Sequence, residues 1–252
     1  MNIFFPQNIF SKLIAENLSA QMKKDVVFLP SSLLTSELKK HNDAVGLIPT
    51  TDIIRHDKLF VSKSFGMSFE SSLCNSYIYY SSSESSVKEV TLAGDVSSIE
   101  VILCKILFQE MYGIDVETKI SADETKIKDQ NLILAGDKNF TLEKYPSGIS
   151  FAEEIEDTFS IPFVNYIFAS QDKKFISLIN EHLQGISTLI YDKAEEMNFG
   201  IELSDKTKNY IKENISSLII DLSEQDLDGI NQIIRLPYYY GIINDIVEVN
   251  YV

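Results

Sequence analysis

The chain has 252 residues, of which 44% are apolar and 23% charged, a balance that builds a folded core of one or two domains and excludes a disordered chain. Its formal net charge is -15 and its pI is near 4.6. A field of that sign repels phosphate backbones and anionic bilayers, which disfavours nucleic acid and anionic membranes, and neither is expected as a partner.

Residues 2–5 read as a short apolar strand, and Pro6-Gln7-Asn8 turns the chain into a helix expected to reach about Met22. The stretch MNIFFPQNIFSKLIAENL has no basic n-region or cleavage site, so it reads as strand plus helix and not as a signal peptide. No apolar run reaches the roughly 18 residues of a membrane span, and a cytoplasmic location is expected. Val26–Leu29 is a second strand. Pro30-Ser31-Ser32 starts a helix through Lys40, and Ala44–Ile48 is a third strand ending at Pro49-Thr50-Thr51. This β-α-β-α-β order implies a parallel sheet.

Phe60–Ser64 and Ser76–Ser81 read as strands joined by the polar connection FGMSFESSLCN, and SSSESS at 81–86 reads as a linker. Val90–Gly113 holds a strand, a Gly-Asp turn and an apolar helix opened by Ser97 and Ser98. Asn131–Leu134 is a strand ending at Gly136-Asp137, and Ile161–Ala169 is another. From Lys173 the chain is expected to be helical. Starts are placed at Asp172 or Ser170 and at Ser204, and the last helix runs from Ser223-x-x-Asp226 to about Arg235, before Pro237. Tyr238-Tyr239-Tyr240 is expected to pack on the sheet or to wall a substrate site.

The pattern is α/β with two lobes. Chain crossings are expected at about 77–82 and 164–169, so that residues 1–80 with 166–252 form one lobe and 81–165 the other. Two strands would hinge them around a central cleft. Ligands of such sheets sit off the carboxyl ends of strands, where helix starts offer free N–H groups. Neither Cys74 nor Cys104 belongs to a disulfide framework. His41, His56 and His182 share no metal-ligand spacing, so no metal site is expected.

Four segments in order carry a resemblance. FLPSSLLTSELKKHNDAVGLIPTTDIIRH, Val90–Gly113, NLILAGDKNF and SFAEEIEDTFSIPFVNYIFAS are together similar to the chorismate dehydratase family of the futalosine route to menaquinone. Gly136-Asp137 stands where the sibling naphthoate-forming enzyme carries a histidine, and Ile161-Pro162-Phe163-Val164 departs from that sibling's proline motif. The resemblance implies the two-lobed type II periplasmic-binding-protein fold. It also implies a cofactor-free hydro-lyase removing water from chorismate to give 3-[(1-carboxyvinyl)oxy]benzoate. Catalysis would rest on positioning by a serine and an asparagine.

Carried over residue by residue, the family serine is Ser76 and the family asparagine is nearest to Asn8. A plain strand serine and a turn or cap asparagine are the other readings. Thr50 and Thr51, Ser97 and Ser98, and Gly136 with Asp137 would contact the substrate, a cyclic carboxylate. As caps and a β-turn they would contact none. Where the family has S-x-T-S, this chain has Ser97-Ser98-Ile99-Glu100. Ser97 with Glu100 fits a capping box, which fills the free N–H groups from within and repels an anion. That departure keeps open a non-catalytic carboxylate-binding protein of the same fold, or a dehydratase of another cyclic acid.

Overall fold

The structure, a computed structural model, describes residues 1–82, 87–122, 130–193 and 198–252. Strand β1 (Asn2–Pro6) leads into helix α1 (Ile9–Glu16). Asn8 opens that helix from an extended backbone, its side chain accepting from Ser11 N at 2.9 Å. The helix stops well short of Met22. Asn17 turns back onto the Leu13 carbonyl, and Ser19 caps a separate short helix α2 (Ala20–Lys23). Strand β2 (Val26–Leu29), a 3₁₀ turn at Ser31–Leu33, helix α3 (Leu34–Leu38) and strand β3 (Ala44–Pro49) follow. Both β2 and β3 pair with β1 in parallel, as the opening pattern requires.

A 3₁₀ turn at Thr50–Arg55 precedes β4 (Phe60–Phe69). This strand absorbs much of the connection expected to be irregular. Phe65, Met67 and Phe69 are buried, and Gly66 lets the neighbouring strand approach, since a Cβ there would lie 2.9 Å from the Tyr166 carbonyl oxygen. Then come β5 (Ser76–Tyr79), β6 (Glu89–Gly94), α4 (Ser98–Tyr112), β7 (Glu117–Ser121), β8 (Leu132–Ala135), α5 (Lys138–Thr141), β9 (Ile149–Ser150) and α6 (Phe151–Phe159). The last third holds β10 (Phe163–Ser170), α7 (Lys173–Leu183), α8 (Ile186–Asp192), α9 (Asp205–Glu213), β11 (Leu218–Asp221), α10 (Glu224–Tyr239) and β12 (Asn250–Tyr251). Residues 83–86 of the serine-rich stretch lie outside the described residues.

Two sheets result. One has the order β11-β4-β10-β3-β1-β2, with β12 also on β4; the other is β7-β6-β8-β5-β9. The first sheet ends on the pair Phe69–Phe163, and the second takes up Ser76 opposite Ala135. The chain therefore crosses at 70–75 and 160–162, ahead of the expected 77–82 and 164–169. Strand β5 thus stands in the second lobe, and Phe163–Asn165 in the first. The region after Lys173 is not wholly helical, because β11 and β12 complete the first sheet at β4.

Helix α10 runs past Arg235 and takes Pro237 into its last turn, where the proline carbonyl accepts from Ile242 N and Ile243 N. Of the tyrosines that follow, Tyr238 and Tyr239 are exposed, and Tyr240 packs partly buried against the core. Tyr239 is 64% exposed, and the Tyr240 hydroxyl donates to Glu110 on α4. Behind the crossings the two lobes meet through aromatic rings. Phe10 lies edge-on to Phe140 at 5.7 Å, and Tyr145 stacks on Tyr210 at 4.1 Å.

Candidate functional site

The carboxyl ends of the parallel strands of both sheets face one another across a seam. The first lobe brings the start of α1, the turn at Ser31, the turn after Thr50, and Tyr166 on β10. The second lobe brings Asn75 and Ser76, Asp95 after β6, the start of α4, and Asp137 after β8. Adjacent parallel strands β6 and β8 both end in Leu-Ala-Gly-Asp, at 92–95 and 134–137. Gly94 and Gly136 take φ of +84° and +87°, which turns each aspartate off its strand into the seam.

Each aspartate meets a helix start of the other lobe. Asp137 accepts from Ile9 N at 2.7 Å and from Lys12 Nζ at 3.3 Å. Asp95 accepts from Ser31 N at 2.8 Å and from Ser31 Oγ at 2.6 Å. Further out, Thr51 Oγ1 and Ser98 Oγ are 2.6 Å apart, and Asp52 accepts from Ser98 and Thr35. Burial raises the pKa of Asp95 above the usual carboxylate value against the pull of the Ser31 bonds, and the Glu100 and Asp137 charges add to the rise. Burial likewise raises Asp137, against the pull of Ile9 N–H and Lys12.

Glu100 is fully buried. Its Oε2 accepts from Ser97 N at 2.8 Å and Ser97 Oγ at 2.7 Å, and its Oε1 accepts from Ser76 Oγ at 2.8 Å. The capping box expected from the sequence is complete. The carboxylate fills the N-terminus of α4 and the hydroxyl of the candidate catalytic serine together.

At the centre of the seam stands Tyr166. Its hydroxyl is 2.8 Å from Ser31 Oγ and accepts from Asn75 Nδ2 at 3.3 Å. Burial, with Glu100 and Asp95 nearby, holds its pKa well above the usual phenol value, while Ser31 and Asn8 oppose the rise. Asn8 Nδ2 and Asn75 Oδ1 are buried with no hydrogen-bond partner among the described residues, two unspent polar atoms in the seam.

The structure thus brings Ser76, Ser97, Ser98, Thr51, Asp137 and Asn8 to one seam. Thr50 is spent elsewhere, donating to the Val164 carbonyl at 2.6 Å and tying the end of β3 to β10. Gly136 contributes a backbone turn, its N–H donating to the Asn75 carbonyl at 2.8 Å. Sequence reasoning missed Asp95, Asn75, Ser31 and Tyr166. The repeated Leu-Ala-Gly-Asp is the signal that marks Asp95. Among the described residues no group of three or more His, Cys, Asp or Glu side chains is placed to hold a metal ion, and no helix is long and apolar enough to cross a membrane. The outer seam opens into a groove of about 470 Å³ lined by Thr35, Asp52 and Arg55 of the first lobe and Val101, Ile102 and Ile120 of the second.

No protein-family model matches the chain, and no curated protein matches it. Solved structures do. Protein AF1704 from Archaeoglobus fulgidus superposes with a TM-score of 0.69 at 9% identity, over 96% of this chain and 98% of that one. The alkanesulfonate-binding protein SsuA from Xanthomonas axonopodis pv. citri, bound to MOPS, gives 0.67 at 12% identity, over 100% and 97%. The periplasmic aliphatic sulphonate binding protein SsuA from Escherichia coli gives 0.65 at 13%, over 99% and 95%. The fold is that of the type II periplasmic binding proteins.

Proposed function

We propose that this chain is a small-molecule-binding protein of the hinged two-lobe kind, and that its cleft takes a ligand bringing hydrogen-bond donors, neutral or cationic, in place of a dianion. The observation that carries the reading is the buried Glu100 carboxylate on the start of α4, holding the Ser76 hydroxyl. It fills the donors that a ligand carboxylate would need. Asp52, Asp95 and Asp137 share the seam. An entering carboxylate near any of them meets a repulsion of about 1–4 kcal/mol at effective dielectrics between water and about 20.

The second reading is the chorismate-dehydratase-like lyase. One observation favours it: Asn75 donates to the Tyr166 hydroxyl, and Asn8 Nδ2 and Asn75 Oδ1 are buried with no partner among the described residues. In that reading these groups position chorismate for loss of water. Incubation of the purified protein with chorismate, followed by mass spectrometry, separates the two. The binding reading expects chorismate unchanged. A product lighter by one water, at a rate above the enzyme-free control, would establish the lyase.

A further inference from the structure

The two Leu-Ala-Gly-Asp turns do more than line the cleft. The first N–H groups of a helix have no acceptor within it, yet Ile9 N and Ser31 N are both taken by carboxylates of the opposite lobe. The lobes also meet at Lys12 with Asp137 and at Thr51 with Ser98. Each of these contacts spans the seam, and each would break if the lobes parted. The Ile9 and Ser31 amides, the Ser31 hydroxyl and the Lys12 ammonium are therefore taken by the protein's own carboxylates, while Asn8 Nδ2 and Asn75 Oδ1 in the seam have no partner among the described residues.

We propose that Asp95 and Asp137 are a latch: they hold the ligand-free protein closed by occupying the Ser31 and Ile9 amides, and a ligand enters only by displacing them. The two turns make the latch a pair, because β6 and β8 are adjacent parallel strands, offset so that Gly94 pairs with Ala135, and they present their aspartates to the turns that follow the adjacent parallel strands β1 and β2. The inference holds whichever ligand the cleft takes.

Native-state hydrogen exchange on the ligand-free full chain tests it, read at the Ile9 and Ser31 amides. In the wild type both exchange slowly. In Asp137→Ala the Ile9 amide speeds up by about tenfold or more, and in Asp95→Ala the Ser31 amide does, the loss of a hydrogen bond to a charged group. The amides between β1 and β3 keep their rates. Unchanged protection at Ile9 and Ser31 in the variants overturns the proposal. Should either variant fail to fold, solution scattering of the ligand-free wild type decides. Closed lobes support the latch, and open lobes overturn it.

Discussion

At the two Leu-Ala-Gly-Asp turns the faces of the seam are chemically opposite, whereas elsewhere Ser98 and Asn75 of the second lobe donate to Asp52 and Tyr166 of the first. The first lobe presents donors: Ile9 N, Ser31 N and Oγ, and the Lys12 ammonium. The second presents acceptors: Asp95, Asp137 and, turned inward on its own helix, Glu100. Helix starts are ready anion sites, and here the protein supplies the anions itself. In the proposed latch Asp95 and Asp137 bind the lobes to each other, while Glu100 fills the start of α4 within its own lobe, and the fold is unchanged.

The twin turns are the place to break that contrast hardest. At Gly94 a Cβ would lie 2.0 Å from the Ala135 carbonyl oxygen, whereas at Gly136 the nearest atom would be Asp95 Cβ at 3.1 Å. Both carry positive φ. Gly94→Ala should therefore cost more than about 3 kcal/mol, and Gly136→Ala about 1–2 kcal/mol. Urea unfolding of the two variants checks this, and equal losses would mean that the β6 turn relaxes freely.

Next in size is Glu100→Ala. It removes the cap of α4 and leaves the buried Ser76 hydroxyl and Ser97 N–H without their acceptor, for a loss of about 2–4 kcal/mol. A loss below about 1 kcal/mol in the same unfolding experiment would show that water replaces the carboxylate.

A smaller effect separates the two aspartates. Asp137 has a charged partner in Lys12, and Asp95 has Ser31 alone among the described contacts. Each alanine variant should lose about 1–3 kcal/mol. The Asp137→Ala loss should shrink as salt is raised, because Lys12 and Asp137 are partly exposed and screened. The Asp95→Ala loss should not. A common salt dependence would remove the distinction.

The weakest effect is on pH. Burial raises both carboxyl pKa values in the closed form, so the closed form binds protons before the open one does. Closure should strengthen as pH falls from neutral through the raised values, and level off below the ordinary aspartate value of about 3.9. Scattering profiles across that range would show the lobes tightening, and lobes that part on mild acidification would contradict the sign.

Local signals made part of this legible in the sequence. The β-α-β-α-β opening, the Ser97–Glu100 and Ser223–Asp226 boxes and the Ser204 and Asp172 caps all rest on neighbours within four residues, and all stand where expected. The crossings were misplaced because Ser68 and Gly66 disguise a strand whose burial comes from β10 and β11, far along the chain. The seam was legible at Ser76, Ser97 and Asp137 but not at Tyr166 or Ser31. Ser97 and Asp137 sit at local marks, a capping box and a Gly-Asp turn, whereas Tyr166 lies in mid-strand with no local mark, and its partner Asn75 is 91 residues away.

The central claim is that the second lobe's own carboxylates occupy what a ligand anion would use. Calorimetric titration of chorismate into the wild type and into Glu100→Ser tests it most directly. The wild type is expected to show no measurable binding. Glu100→Ser should gain affinity by about 1–4 kcal/mol, the repulsion removed, while losing about 2–4 kcal/mol of stability, because the buried Ser76 hydroxyl and Ser97 N–H lose the same acceptor. Binding of chorismate by the wild type as tight as by Glu100→Ser would contradict it.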